Sequence, residues 1–127
     1  MTQTEIHAPV RFLEERFDCA QACTECAKRC VTSVGAADLG AVTAGAPRRP
    51  NLRRALLRCA EVCDATCRLL SEELRQDPYG MRLHVEWCRA VSLECAQACD
   101  RAPDAGDCAG CCRRCARACT EFLAALV

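Results

Sequence analysis

Four cysteines, Cys19, Cys23, Cys26 and Cys30, are spaced by four, three and four residues, which puts their sulfurs on one stripe of a helix. The same habit recurs three times. Cys59, Cys63 and Cys67 form a second stripe, Cys88, Cys95 and Cys99 a third, and Cys108, Cys112, Cys115 and Cys119 a fourth, with Cys111 beside it. Thiols occupy the seam where leucines would normally drive helices together, so the chain must fold into helices whose shared interior is sulfur.

Composition sharpens the point. Of 127 residues only 4% are aromatic while 15 are cysteine, far above ordinary usage. The length suits one domain with a buried core. Basic and acidic residues balance at 17 each, so no global field favours nucleic acid or an anionic membrane. Residues Met1 to Asp18 carry charges and lack the apolar run of a secretory signal, and no stretch approaches membrane-spanning length. For a complete chain this predicts a cytoplasmic protein. There thiols stay reduced, and clustered cysteines serve as metal sites or redox centres more often than as disulfides. The odd count and the helical period of the cysteines also argue against a disulfide framework.

In chain order, residues 1 to 8 read as a loose lead-in, with Thr4 able to cap a short extension. A first helix is predicted over about 9–34, with Pro9 in its first turn and Phe12 and the four cysteines on its apolar face. Gly35 to Pro50 reads as a long connection with room for one short helical turn through Leu39 and Val42. Arg48, Arg49, Arg53, Arg54 and Arg58 form a local basic patch, read as a solvated face because no aromatic side chains accompany it. Asn51 is the expected cap of a second helix over about 51–76, with the stripe Leu52, Leu56, Cys59, Cys63, Cys67, Leu70 and Leu74. Asp77 and Pro78 open a third helix, about 78–102, carrying Met81, His84, Trp87, Cys88, Val91, Cys95 and Cys99 before Pro103. Asp104 or Asp107 caps a fourth, about 104–126, carrying Cys108, Cys111, Cys112, Cys115, Cys119, Phe122 and Leu126. The fold class is all-α, an antiparallel up-and-down four-helix bundle forming one domain over residues 1–127 with a cysteine-lined core.

Equal rise per residue places the cysteines of such a bundle in layers. The lowest is Cys19, Cys67, Cys88 and Cys119. Above it come Cys23, Cys63 and Cys115 with Val91 in the fourth corner, then Cys26, Cys59, Cys95 and Cys112, then Cys30, Cys99 and Cys108 with Leu56 near the vacant corner. Cys111 has no place in the column. Phe12, Leu70, Leu74, Phe122 and Leu126 form an apolar plug below. No plug is apparent above, so Cys30, Cys99, Cys108 and Cys111 are expected to meet solvent and metal to arrive at the top.

Close-packed thiolates select soft metals, Cu(I) first and Zn(II) next. Cu(I) accepts two or three thiolates, and each sulfur can bridge to a second ion. At one monovalent ion per thiolate the core is neutral, which matters because buried unpaired charge is costly. Zinc in four-thiolate sites would leave net negative charge, with no lysine or arginine on the stripes to offset it. Cys23 with Cys26, Cys108 with Cys111 and Cys112 with Cys115 have CxxC spacing, but on a helix this is also simply i,i+3. An iron–sulfur site at Cys108, Cys111, Cys112 and Cys115 has the wrong spacing and leaves the other cysteines idle. A thiol redox protein that cycles disulfides is the alternative of a different class. It would need one exposed, low-pKa cysteine, for which Cys108 at a helix N-terminus is the candidate. The chemistry favours multiple Cu(I) ions bound by Cys19, Cys23, Cys26, Cys30, Cys59, Cys63, Cys67, Cys88, Cys95, Cys99, Cys108, Cys111, Cys112, Cys115 and Cys119, with no catalytic residue. His84, one turn before Cys88, is a further candidate ligand at the foot of the column, against the alternative of a half-exposed histidine at a bundle end. His7 is read as unrelated, and Met81 and Trp87 as packing residues.

These CxxxC and CxxC stripes on four helices, with a signal-free N-terminus, resemble the cytosolic branch of the bacterial copper storage proteins. The likeness runs from about Arg11 to Phe122. It implies a core that binds many Cu(I) ions, an apo protein that is already folded, a role in copper homeostasis, and assembly into tetramers. Histidine or methionine near the point of metal access is common in that family. Here Met81 and His84 lie low on the third helix, near the plug.

Overall fold

A computed structural model describes residues 3–72, 77–102 and 106–126, with side chains from Val10 onward. Four helices follow one another: α1 (Gln3–Thr43), α2 (Pro50–Ser71), α3 (Pro78–Asp100) and α4 (Cys108–Ala125). The 41 residues of α1 span about 60 Å at 1.5 Å per residue, so this helix overhangs its shorter neighbours at both ends.

That length is the main departure from the sequence reading. The lead-in is helical from Gln3, and the helix passes through Pro9 with the loss of one amide donor. At the other end it runs through Gly35 and Gly40 to Thr43. Each glycine costs only about 1 kcal/mol relative to alanine, and no proline occurs before Pro47. The chain leaves the helix at Gly45, whose φ of 65° suits a glycine just past a helix end. The amides of Ala44 and Ala46 both donate to the Gly40 carbonyl, at 2.9 and 3.2 Å. The overhang is also tied sideways. Arg53 of α2 donates to Asp38 through Nε to Oδ1 at 3.1 Å and through the guanidinium to Oδ2 at 3.2 Å.

The other boundaries follow local chemistry. Pro50 stands at the start of α2, so Asn51, expected as its cap, lies inside the helix, and Arg49 holds the cap position without a side-chain capping bond to the helix amides. At its far end, Arg16 of α1 donates Nε to the Leu70 carbonyl at 2.6 Å and its guanidinium to the Glu72 carbonyl, satisfying acceptors that a helix terminus leaves open. Asp77 caps α3 as expected, accepting from the Tyr79 amide at 3.1 Å. Asp107 precedes α4 without a side-chain cap bond, after Gly106 at φ 83°. Leu74, Pro103 and Asp104 lie outside the described residues, as do the side chains of Thr4, His7 and Pro9.

Contacts along each seam run in opposite chain directions. Arg16 meets Leu70 while Asp38 meets Arg53. Cys63 meets Cys88 while Arg58 meets Glu94, and Arg82 meets Leu126 while Asp100 meets Arg113. Cys19 meets Cys119 while Cys30 meets Cys108. The result is an antiparallel up-and-down four-helix bundle, with α1 packed against both α2 and α4 and α3 against the other side of each.

An apolar plug closes the bottom. Leu70, Met81, Val85, Phe122, Leu123 and Leu126 are buried there, and Phe12 packs on Phe122 with ring centroids 5.6 Å apart. The top is closed too, contrary to expectation, by buried Val34, Leu52, Leu56 and Ala102. Each large side chain so buried contributes about 1.5–3 kcal/mol, which stabilises both ends of the bundle independently of anything bound between them.

Candidate metal centre

Between the two plugs each helix turns one face inward at four-three-four spacing. On α1 that face is Cys19, Cys23, Cys26 and Cys30, and on α4 it is Cys108, Cys112, Cys115 and Cys119, all fully buried. On α2 it is Cys59, Cys63, Thr66 and Leu70, and on α3 Cys88, Ser92, Cys95 and Cys99, likewise buried. Every cysteine except Cys67 and Cys111 therefore faces the column. All fifteen are free thiols.

The sulfurs touch across helices. Cys19 lies 3.9 Å from Cys119, Cys23 lies 3.7 Å from Cys115 and 3.8 Å from Cys88, and Cys63 lies 3.8 Å from Cys115. Higher up, Cys26 lies 3.8 Å from both Cys59 and Cys112, and Cys30 lies 3.4 Å from Cys108. Four groups have all their sulfurs within 4.8 Å of one another: Cys23, Cys88, Cys115 and Cys119; Cys26, Cys30, Cys59 and Cys112; Cys30, Cys95, Cys108 and Cys112; and Cys26, Cys63 and Cys115. Cys26, Cys30, Cys112 and Cys115 each belong to two groups, so the sites overlap along the axis.

The expected layers hold for α1 against α4 and for Cys59 and Cys63 on α2. They shift on α3, where Cys88 sits beside Cys23 and Cys63, at 3.8 and 3.9 Å, not in the layer of Cys19. Cys67 leaves the column. Two successive steps of four residues over-rotate by about 40° each, so Thr66 takes the inward position and Cys67 turns half-buried against the Thr24 hydroxyl of α1. The corner assigned to Val91 is occupied by Ser92, whose Oγ lies 3.5 Å from Cys115 Sγ. The four-three-four spacing of α1, carried to α2 and α3, makes both hydroxyls candidates for the inward face, and the packing of the helices selects them.

Exposure is also distributed differently from expectation. Cys30 and Cys108 are fully buried, Cys99 and Cys111 nearly so, and Cys67 is the most open. Val34, Leu52 and Leu56 stand between the column and a cavity of about 760 Å³ under the α1 overhang, also lined by Arg29, Arg48, Arg49 and Arg53. Cys111 lies outside the column, at a groove between α1 and α4 lined by Asp18 and Glu25. Its Sγ accepts from the Arg114 guanidinium at 3.1 Å. His84 joins none of the cysteine groups. Its ring packs edge-on to Trp87 at 5.8 Å, and its shielded Nε2 has no hydrogen-bond partner among the described residues.

Hydrogen bonding among the thiols shifts neighbouring groups in opposite directions. Hydrogen bonding with Cys119 first, and then with Cys23, lowers the pKa of the Cys19 thiol to about 5. Hydrogen bonds to Cys108 and Cys112 push Cys30 up, and those to Cys115 and Cys119 push Cys23 up. One thiolate is solvated by its neighbours' S–H groups, and those donors then keep their protons. Thr66 and Ser92 are the buried polar side chains among the described residues. A filled column must therefore balance its own charge. Among the described residues, no helix is long and apolar enough to cross a membrane.

The copper storage protein family, Csp, matches residues 5–124. Among solved structures, a histidine-to-alanine variant of Streptomyces lividans Ccsp is 35% identical with TM-score 0.58, over 95% of this chain and 96% of that one. A cytosolic copper storage protein from Streptomyces lividans solved with five coppers is 34% identical with TM-score 0.56, over 93% of each chain. Ccsp from the same organism loaded with 10 copper equivalents is 33% identical with TM-score 0.57, over 96% of this chain and 88% of that one. No curated protein is similar enough to count as a match. The extent of the family match and the thiol column it encloses lead to one conclusion: the chain belongs to the copper storage protein family.

Proposed function

We propose that the bundle stores copper as many Cu(I) ions held by its cysteine thiolates. The observation that carries this is the overlap of the sulfur groups, in which Cys26, Cys30, Cys112 and Cys115 are each shared. Shared sulfurs bridge, and bridging thiolates with two- or three-coordinate Cu(I) approach one ion per sulfur. Such a core is neutral, as a site without buried cations requires. Divalent zinc in the same groups would leave charge uncompensated. Each thiol releases its proton as copper binds. The copper-loaded relatives support the reading. The role is sequestration, without catalysis.

Cys67 and Cys111, outside the column, are auxiliary ligands in this reading, and the unpartnered Nε2 of His84 supports a further ligand below it. The protein works as a single domain in the cytoplasm, where thiols stay reduced and where its Streptomyces relative is described as cytosolic. Tetramer assembly is supported by exposed apolar side chains at Val10, Leu13 and Phe17 on α1 and at Tyr79, Leu83 and Trp87 on α3. Neither nucleic acid nor membrane is a partner. Arg53 and Arg58 of the basic patch are engaged by Asp38 and Glu94.

Anaerobic titration of the fully reduced protein with Cu(I) tests the proposal. Saturation approaching one equivalent for each of the 15 cysteines supports it. Saturation at one or two equivalents sinks it.

A further inference from the structure

On α3 the inward stripe carries Ser92 between Cys88 and Cys95, where α1 and α4 carry Cys23 and Cys112 at the same step of the spacing. Ser92 is fully buried. Its Oγ lies 3.5 Å from Cys115 Sγ, 3.6 Å from Cys63 Sγ and 3.9 Å from Cys59 Sγ. Those sulfurs belong to different halves of the column. Cys59 belongs to the upper group with Cys26, Cys30 and Cys112, whereas Cys115 belongs to the lower group with Cys23, Cys88 and Cys119. The group that joins the halves, Cys26, Cys63 and Cys115, has three sulfurs where each of the others has four. At this waist a hydroxyl fills the α3 corner.

Oxygen and sulfur differ here in kind. A serine hydroxyl stays protonated at neutral pH and is a hard donor that Cu(I) ignores in favour of thiolate. It can instead donate its O–H to a thiolate, drawing off the electron density a bridging copper would use. Thr66, the other buried hydroxyl, differs. Its Oγ1 donates to the Val62 carbonyl at 2.7 Å, so its proton is committed to its own helix.

Building on the copper-storage reading, we propose that Ser92 makes the waist the labile point of the column. The upper and lower thiol groups then hold copper as two stable clusters, and the copper between them loads last and leaves first. Ser92 acts as a positioning residue, setting where the store opens without itself binding metal. Each copper that leaves passes to the acceptor, and the vacated thiolates take protons back from solvent.

The test uses full-length protein, loaded anaerobically to saturation and mixed with excess of a high-affinity Cu(I) chelator while the chelate absorbance is followed. Wild type is expected to release about one copper in a fast phase, followed by a slow major phase. Ser92→Cys supplies the missing sulfur. It should bind about one more copper and slow the fast phase at least about tenfold. Ser92→Ala removes the O–H donor and should keep the wild-type stoichiometry while slowing the fast phase roughly threefold. Thr66→Cys adds a sulfur away from the waist and should leave the fast phase in place. Circular dichroism of each apo variant confirms folding. Single-phase release from wild type, or a fast phase untouched in Ser92→Cys, overturns the inference. If wild type instead saturates at one or two coppers, it is the storage reading that fails.

Discussion

The Sγ atoms of Cys30 and Cys108 stand 3.4 Å apart across α1 and α4, although 78 residues separate them in the chain. Both also lie within 4.8 Å of Cys112, which is shared between two sulfur groups. Sharing gives an unequal hierarchy among the cysteines. Cys112→Ala should lower Cu(I) capacity by about two ions, because it removes a bridge from two sites. Cys67→Ala, outside the column, should change it by less than one. Parallel anaerobic titrations compare the two, and equal losses would contradict the shared-bridge geometry.

Phe122 is fully buried at the foot of the column and packs on Phe12. Phe122→Ala should destabilise the apo protein by about 3–5 kcal/mol, measured by urea unfolding in reductant. Capacity of the protein that remains folded should be unchanged, since the sulfurs lie above the plug.

Removing copper should leave the helices in place. Apolar plugs at both ends, Phe122 and Leu126 below and Leu52 and Leu56 above, secure the bundle without metal. Far-UV circular dichroism after chelation should match that of the loaded protein, in contrast with small zinc domains that unfold when stripped.

The Asp38–Arg53 pair holds the α1 overhang to the start of α2. Both groups are solvent-exposed, so its energetic worth is local and screened. Arg53→Ala should speed hydrogen exchange over residues 36–43 roughly threefold to tenfold. Global stability and copper capacity should stay as in wild type.

The apo protein should lose stability at alkaline pH. Its hydrogen bond to Cys108 is the leading cause that pushes the Cys99 thiol up to about 12, against an ordinary value of 9.0. A group raised on folding contributes stability that is complete below its unfolded value and lost as pH rises through its folded one. The melting temperature of reduced apo protein should therefore fall from about pH 9 towards pH 12. Copper-loaded protein, whose thiols have already given up their protons, should lack this decline. A flat apo profile over that window would contradict the assignment.

Helix class, helix number and the antiparallel order were legible because cysteine periodicity reports helix faces and because Asp77, Pro78 and short connections mark the turns. The sequence by itself also determined that the interior is thiol, since the stripes of α1 and α4 keep a spacing that returns to the same face after each two turns. Three things were decided by tertiary structure. The α1 extension to Thr43 is tied down by Asp38 meeting Arg53, a contact across helices that local sequence does not reveal. The closure of the top depends on Val34, Leu52, Leu56 and Ala102 converging from α1, α2 and the end of α3, a cluster no single helix reveals. The third is the identity of the inward residue at the two irregular stripes. Cys67 and Thr66 are neighbours in sequence, and which of them faces the column is set by the rotation of α2 against α1 and α3. That rotation places Thr66 inside and Cys67 at the rim, while the equivalent choice on α3 sets the Ser92 hydroxyl among three sulfurs. Spacing fixes a stripe only to within part of a turn, and the packing of four helices settles the remainder.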